Sequence, residues 1–208
     1  MIKYKDERKA VAAFMRRLYR HGLTTTSGGN ISLRVSDNII VITPSATDKG
    51  RMRWKEIGIM SLTGENLTPA LKPSIESEMH LSIYRNIEAK AIVHAHPVFA
   101  TSFTAMNRKI NTALTAEACA ILGDPVFVPY ALMGTGDLAA TVSEYITKSH
   151  ILLLENHGIL AIGSDLLQAF DRIEVLENAA RMTVIVELMG KKQALTSGRI
   201  SEIQRIFR

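Results

Sequence analysis

The run "AIVHAHP" at residues 91–97 sets two histidines, His94 and His96, one residue apart at the end of an apolar segment that a proline closes at once. In an extended chain successive side chains point to opposite faces, so Ile92, His94 and His96 share one face while Ala91, Val93 and Ala95 take the other. The run therefore predicts a buried strand that delivers two imidazoles to one side of its end. Two neutral imidazoles at i and i+2 can face a single metal ion. A hydrogen-bonded pair of core histidines explains the same residues equally well, and the strand alone does not choose between them.

On the N-terminal side, "SIESEMHLSIYRN" at residues 74–86 follows Pro73 and predicts a helix, with Ser74 as N-cap and Glu76 and Glu78 in the first turn, where acidic residues suit the helix dipole. On the C-terminal side, "VFATSFTAM" at 98–106 reads as helix, a loop leads to the apolar "PVFVPY" at 125–130, and residues 137–148 read as helix. "HILLLENHGILAIGSD" holds two apolar runs, 151–154 and 159–162, separated by "ENHG". That pattern predicts an antiparallel hairpin with His157 at its tip, Gly158 allowing the tight turn that brings the imidazole inward. A long helix from Leu166 to Met189 should stop at Gly190. Near the start, Val11, Phe14, Met15 and Leu18 recur at helical spacing within residues 5–21, before Gly22. After "TTTSGGN" come "ISLRV" and "NIIVITP", which read as a hairpin through "SDN". Hairpins set between helices favour a mixed α/β layer fold over a doubly wound parallel sheet.

The composition narrows the class of protein. A hydrophobic fraction of 47% and a charged fraction of 22% in 208 residues suit one globular domain spanning residues 1–208. The charged start "MIKYKDERKAVAAF" is unlike a signal peptide, and no run is long enough to cross a bilayer, so a cytoplasmic protein is expected, with no membrane partner. A lone cysteine, Cys119, excludes an intrachain disulfide and a Cys-rich zinc site, leaving histidine and carboxylate to hold any metal. The net charge of +5 is spread along the chain. Its densest cluster, Arg51 to Lys55 around Trp54, is short and unrepeated, which favours a solvated surface or an anionic small substrate over nucleic acid.

His157 strengthens the metal reading of His94 and His96, because three histidines with an open fourth position form a catalytic metal site. Glu76 is the candidate general base or extra ligand, against its plainer role at a helix start. "TSGGNIS" at 26–32 offers backbone N–H groups with Ser27 and Asn30 and could cradle a phosphate, although a glycine-rich entry to a hairpin is commoner. No helix follows it, so it is neither a Walker nor a dinucleotide-binding loop.

Taken in order, "TSGGNIS", "ITPSA", "KPSIESEMH", "VHAHP", "GTGDLA" and "ENHG" form a pattern that resembles the class II aldolase/epimerase superfamily, which includes zinc-dependent fuculose-phosphate aldolases and ribulose-phosphate 4-epimerases. The likeness runs from about residue 5 to residue 190. It implies an α/β fold with a central, mainly antiparallel sheet flanked by helices, and a homotetramer with active sites at subunit interfaces. It implies Zn2+ held by His94, His96 and His157, and Glu76 as catalytic acid/base. Epimerases carry an aspartate there, so Glu76 favours an aldolase.

The resemblance further implies that Ser27, Gly28, Gly29, Asn30, Ser45 and Ser74 hold a substrate phosphate. Ile75 stands where aldolases commonly have a second phosphate-binding serine, and Ala46 replaces a glycine. The proton-donor tyrosine of the aldolases has no match. Glu117 falls instead where the related methylthioribulose-phosphate dehydratases carry their acid/base glutamate, making it a second catalytic candidate. The expectation is a zinc-dependent aldolase that cleaves a fuculose-1-phosphate-like ketose phosphate to dihydroxyacetone phosphate and an aldehyde. A dehydratase, 4-epimerase or decarboxylase of the same superfamily is the alternative, and a non-catalytic scaffold domain, which would not need the histidines, is the rival of another class.

Overall fold

The structure, a computed structural model, describes residues 3–106, 108–190 and 192–207. In chain order its elements are α1 (Lys5–Arg20), β1 (Asn30–Ser36), β2 (Ile39–Ile42), β3 (Gly58–Ser61), α2 (Ser77–Asn86), β4 (Ala91–Ala95), α3 (Val98–Thr104), α4 (Ala116–Leu122), β5 (Val126–Val128), α5 (Gly136–Tyr145), β6 (Ile151–Leu154), β7 (Gly158–Gly163), α6 (Leu166–Leu188) and α7 (Ser197–Phe207). The strands form one sheet in the order β3-β2-β1-β4-β7-β6-β5. Every pairing is antiparallel except that of β5 with β6. This is the α/β, mainly antiparallel sheet flanked by helices that the sequence motifs imply.

Every residue of β4 is buried, which suits a strand in the middle of the sheet. Burying Ile92 and Val93 contributes about 1.5–3 kcal/mol each. The expected alternation holds. Ala91, Val93 and Ala95 join the apolar layer with Val11, Met15, Phe103, Phe170 and Leu176, from α1, α3 and α6. Ile92 joins the opposite layer with Leu81, Ile83, Leu138 and Val142, from α2 and α5. His94 lies on the Ile92 face and carries an imidazole into that second layer. Helix α1 buries Val11, Met15 and Leu18 as its periodicity predicts, and its Arg8 guanidinium donates to the carbonyls of Ile57 and Lys55, tying the helix to the approach of β3.

The structure corrects two local expectations. The helix expected from Ser74 begins at Ser77, and Glu76, not Ser74, is its N-cap residue, with no side-chain cap bond. Segment 73–76 is held outside the helix because Pro73 bridges Pro44, Ser45 Oγ accepts the Ile75 N–H, and Ser74 Oγ accepts the Glu76 N–H. The acidic first-turn role thus passes to Glu78, and Glu76 is left to point elsewhere. At the "ENHG" turn the left-handed residue is Asn156, at φ 51, while Gly158 already belongs to β7. Strand β3 and helices α4 and α7 were not evident from the sequence. No helix among the described residues is long and apolar enough to cross a membrane.

Lys49 is 1% exposed, in a short 3-10 turn whose Lys49 N–H bonds to the Thr26 carbonyl. Its Nζ donates to the Pro44 carbonyl at 2.7 Å, with no ion-pair partner among the described residues. Burial pushes this ammonium down to about 8 from its ordinary value of 10.5. The folded state therefore binds fewer protons than the unfolded chain between these values, so Lys49 costs stability below pH 8 and the cost fades as pH rises toward 10.5. Lys49→Met should be more stable than the parent by about 1–3 kcal/mol at neutral pH, with the gain shrinking in alkali. Urea denaturation at neutral and at alkaline pH checks this, and a variant equally destabilised at both would contradict it.

Candidate active site

Four elements bring the site together. Strand β4 supplies His94 and, just past its end, His96. The β6–β7 turn supplies His157. The start of α2 supplies Glu76, and β1 supplies Asn30, which sits directly across from His94 in the β1–β4 register. The ligand atoms of His94, His96 and His157 all lie within 4.8 Å of one another.

His94 is wholly buried, and its Nδ1 donates to the Ile159 carbonyl on β7 at 2.9 Å. In a neutral ring that bond leaves the lone pair on Nε2, which faces His96 Nε2 at 3.0 Å and Glu76 Oε2 at 3.4 Å. Glu76 Oε1 lies 3.1 Å from His157 Nε2. Burial pushes His94 down to about 4 and His96 to about 3, so both imidazoles are neutral at physiological pH. Burial alone would raise the Glu76 carboxyl, but His94, His157 and the Asn30 hydrogen bond outweigh it and hold the carboxyl well below its usual range. A buried carboxylate beside three converging imidazole nitrogens, with no lysine or arginine in the group, is a donor set that suits a divalent metal ion. The Nδ1 of His157 has no hydrogen-bond partner, and the His157 Nε2 contact at 3.1 Å is the one polar approach to Glu76 Oε1 among the described residues, which agrees with groups arranged for something other than each other.

Clearance around the imidazoles comes from glycines. A Cβ on Gly158 would stand 2.4 Å from His96 Cδ2 and 2.8 Å from the Ala95 carbonyl. A Cβ on Gly29, at φ +67, would stand 2.7 Å from the His94 carbonyl, and one on Gly28 would stand 2.8 Å from His96 Nδ1. The "SGG" loop is thus fitted against the histidine strand, a steric need separate from any phosphate cradle.

Of the expected phosphate residues, Ser45 and Ser74 flank the segment leading to Glu76. Each hydroxyl accepts a backbone N–H, which leaves its own proton to donate. Ser27 is exposed on the glycine loop. The Asn30 side chain is engaged inward, its Nδ2 donating to Glu76 Oε2 at 2.7 Å and its Oδ1 accepting from His80 Nε2 at 2.5 Å. Glu117 stands apart from the group, exposed in the first turn of α4, a helix packed against α6 and α7. His80, Ser32 and Tyr84 were not among the expected site residues. Their signal was there in the spacing: Glu76, His80 and Tyr84 recur every four residues, and Asn30 and Ser32 alternate along β1.

Residues 9–184 match the family described as Class II Aldolase and Adducin N-terminal domain. The chain belongs to the class II aldolase family. The L-fuculose phosphate aldolase of Methanococcus maripaludis is 37% identical over 172 residues, 82% of this chain and 92% of that protein. The 3-oxo-tetronate 4-phosphate decarboxylase of Haemophilus influenzae is 33% identical over 195 residues, 91% of each chain. A solved L-fuculose 1-phosphate aldolase superposes with a TM-score of 0.88 at 28% identity, covering 97% of this chain and 96% of its own.

Because the Gly158 contacts include a backbone carbonyl, relief requires β4 or the turn to move. Gly158→Ala should cost about 1–3 kcal/mol of stability and weaken metal retention. Thermal melts with chelator competition measure both, and an unchanged variant would contradict the packing described.

Proposed function

We propose that this chain is a zinc-dependent aldolase that reversibly cleaves a ketose 1-phosphate of the fuculose-phosphate type into dihydroxyacetone phosphate and an aldehyde, working as a single-domain homotetramer. The observation that carries this reading is the Glu76 carboxylate, buried beside three histidines with Oε2 held by Asn30 and Oε1 turned to His157 Nε2 at 3.1 Å. His94, His96 and His157 would hold the metal, and Zn2+ bound there would act as a Lewis acid toward the substrate carbonyl oxygen.

Glu76 does the proton transfer. In the condensation direction its Oε1 takes a proton from the hydroxymethyl carbon of dihydroxyacetone phosphate while the new hydroxyl oxygen gains one, and in cleavage the proton lost by that hydroxyl is balanced by one that Glu76 delivers to the same carbon. Asn30 holds Oε2 and keeps the carboxylate turned. The hydroxyl protons of Ser45 and Ser74, with the loop Ser27, Gly28 and Gly29, serve the phosphate. Assembly of copies is supported by the exposed apolar side chains of Ile75, Tyr130, Leu132 and Met133 on the segments that meet at Gly134, beside Glu76.

A decarboxylase is the second reading, favoured by the relative that matches nearly end to end. Loss of CO2 from a 3-oxo acid leaves the same negative charge beside a carbonyl that aldol cleavage leaves, so one site serves either bond. Hydrogen exchange at the hydroxymethyl carbon of dihydroxyacetone phosphate tests the shared step. The zinc-loaded protein should catalyse it, and Glu76→Gln should keep its zinc while losing roughly 10²- to 10⁴-fold in rate. Undiminished exchange in Glu76→Gln would remove Glu76 from the chemistry. Aldehyde release from a ketose 1-phosphate supports the aldolase, and CO2 release from a 3-oxo acid phosphate without it would transfer the assignment to the decarboxylase.

A further inference from the structure

We propose that His80, acting through Asn30, is a positioning residue that fixes the rotation of the Glu76 carboxylate; the inference rests on the reading of Glu76 as the acid/base. His80 is wholly buried on α2, one turn beyond Glu76 and one turn before Tyr84. Across from them, Asn30 and Ser32 share one face of β1. The five side chains form an unbroken line. Tyr84 Oη lies 2.9 Å from Ser32 Oγ, Ser32 Oγ 2.6 Å from His80 Nδ1, His80 Nε2 2.5 Å from Asn30 Oδ1, and Asn30 Nδ2 2.7 Å from Glu76 Oε2.

The direction of every hydrogen bond follows from the carboxylate end. An ionised carboxylate only accepts, so Asn30 must present its NH2 to Glu76 and its carbonyl to His80. A carbonyl oxygen also only accepts, so His80 Nε2 carries the proton. In a neutral ring Nδ1 is then an acceptor, which takes the single hydroxyl proton of Ser32 and leaves Ser32 Oγ to accept from Tyr84, whose one proton is shared between that oxygen at 2.9 Å and the more distant Lys90 carbonyl at 3.4 Å. All the donors point toward Glu76, an arrangement in which each bond strengthens the next. A carboxamide alone can turn end for end at little cost of shape. The His80 N–H on one side and the carboxylate on the other admit one orientation, which anchors Oε2 and leaves Oε1 toward His157. A histidine kept only to fill the core would need no particular tautomer.

The tautomer is measurable in the intact metal-loaded protein. In 15N-histidine-labelled protein at neutral pH, His80 should be neutral with its proton on Nε2. A proton on Nδ1, or a charged ring, would overturn the proposal without recourse to any variant that could misfold. In kinetics of the same hydrogen exchange, metal-loaded His80→Phe should lose roughly 10- to 100-fold in kcat, with KM and metal content kept. His80→Gln, whose amide can donate to Asn30, should recover most of that loss. Wild-type kcat in His80→Phe, or equal loss in His80→Gln, would overturn the role. An inactive Glu76→Gln with an unimpaired His80→Phe would sink this proposal alone, whereas an active Glu76→Gln would sink the reading of Glu76 on which it stands.

Discussion

The hydrogen bond from His94 Nδ1–H to the Ile159 carbonyl is the constraint on which the site depends. A buried imidazole without a partner would cost about 1–3 kcal/mol, and here the neighbouring strand supplies the partner. The same bond decides which nitrogen faces the other histidines. It exists only in the observed β4–β7 register, where His94 pairs with Leu160 and Ala95 with Ile159. A slip of one residue would turn His94 into the layer of α1, α3 and α6 and separate it from Glu76 and Asn30. The two apolar layers therefore do more than stabilise the sheet: by filling opposite faces of β4 they hold the register that points the imidazole.

The site consequently behaves as part of the core. His80, His94, Asn30, Glu76 and Ser32 are all buried, and each has a named hydrogen-bond partner. The bonds of Asn30 and Ser32 with Glu76 and His80 run between the sheet and the α2 segment, so the helix that follows the carboxylate is registered against the strands by polar contacts as well as by Leu81 and Ile83. The glycines at 28, 29 and 158 let backbone approach the histidines more closely than any side chain would allow.

Much of this was legible in the sequence where a pattern has a strong physical cause. The alternation in "AIVHAHP" placed β4 and its two faces, the paired apolar runs around "ENHG" placed the β6–β7 hairpin, and the long periodic stretch from Leu166 placed α6. The misses have causes too. Strand β3 is four residues long and meets the sheet only through β2, so local periodicity could not announce it. Helix α4 has seven residues, too few for a face to repeat. The start of α2 was misjudged because Pro73 and Ser74 look like helix-opening residues, whereas long-range bonds to Pro44 and Ser45 hold that segment out. The His80 line escaped notice because its members are spread over two elements and acquire a direction only when paired.

Of the relatives, one is named as an aldolase and one as a decarboxylase. What either reaction would use in this chain is a cluster of three imidazoles around a carboxylate, and the account stands or falls on that cluster holding a metal. Crystals of the purified protein, measured by anomalous diffraction on either side of the zinc absorption edge, test it most directly. The account predicts a single strong zinc peak bounded by the imidazoles of His94, His96 and His157. A zinc-saturated protein with no peak among these three side chains, or with its metal bound elsewhere, would contradict it.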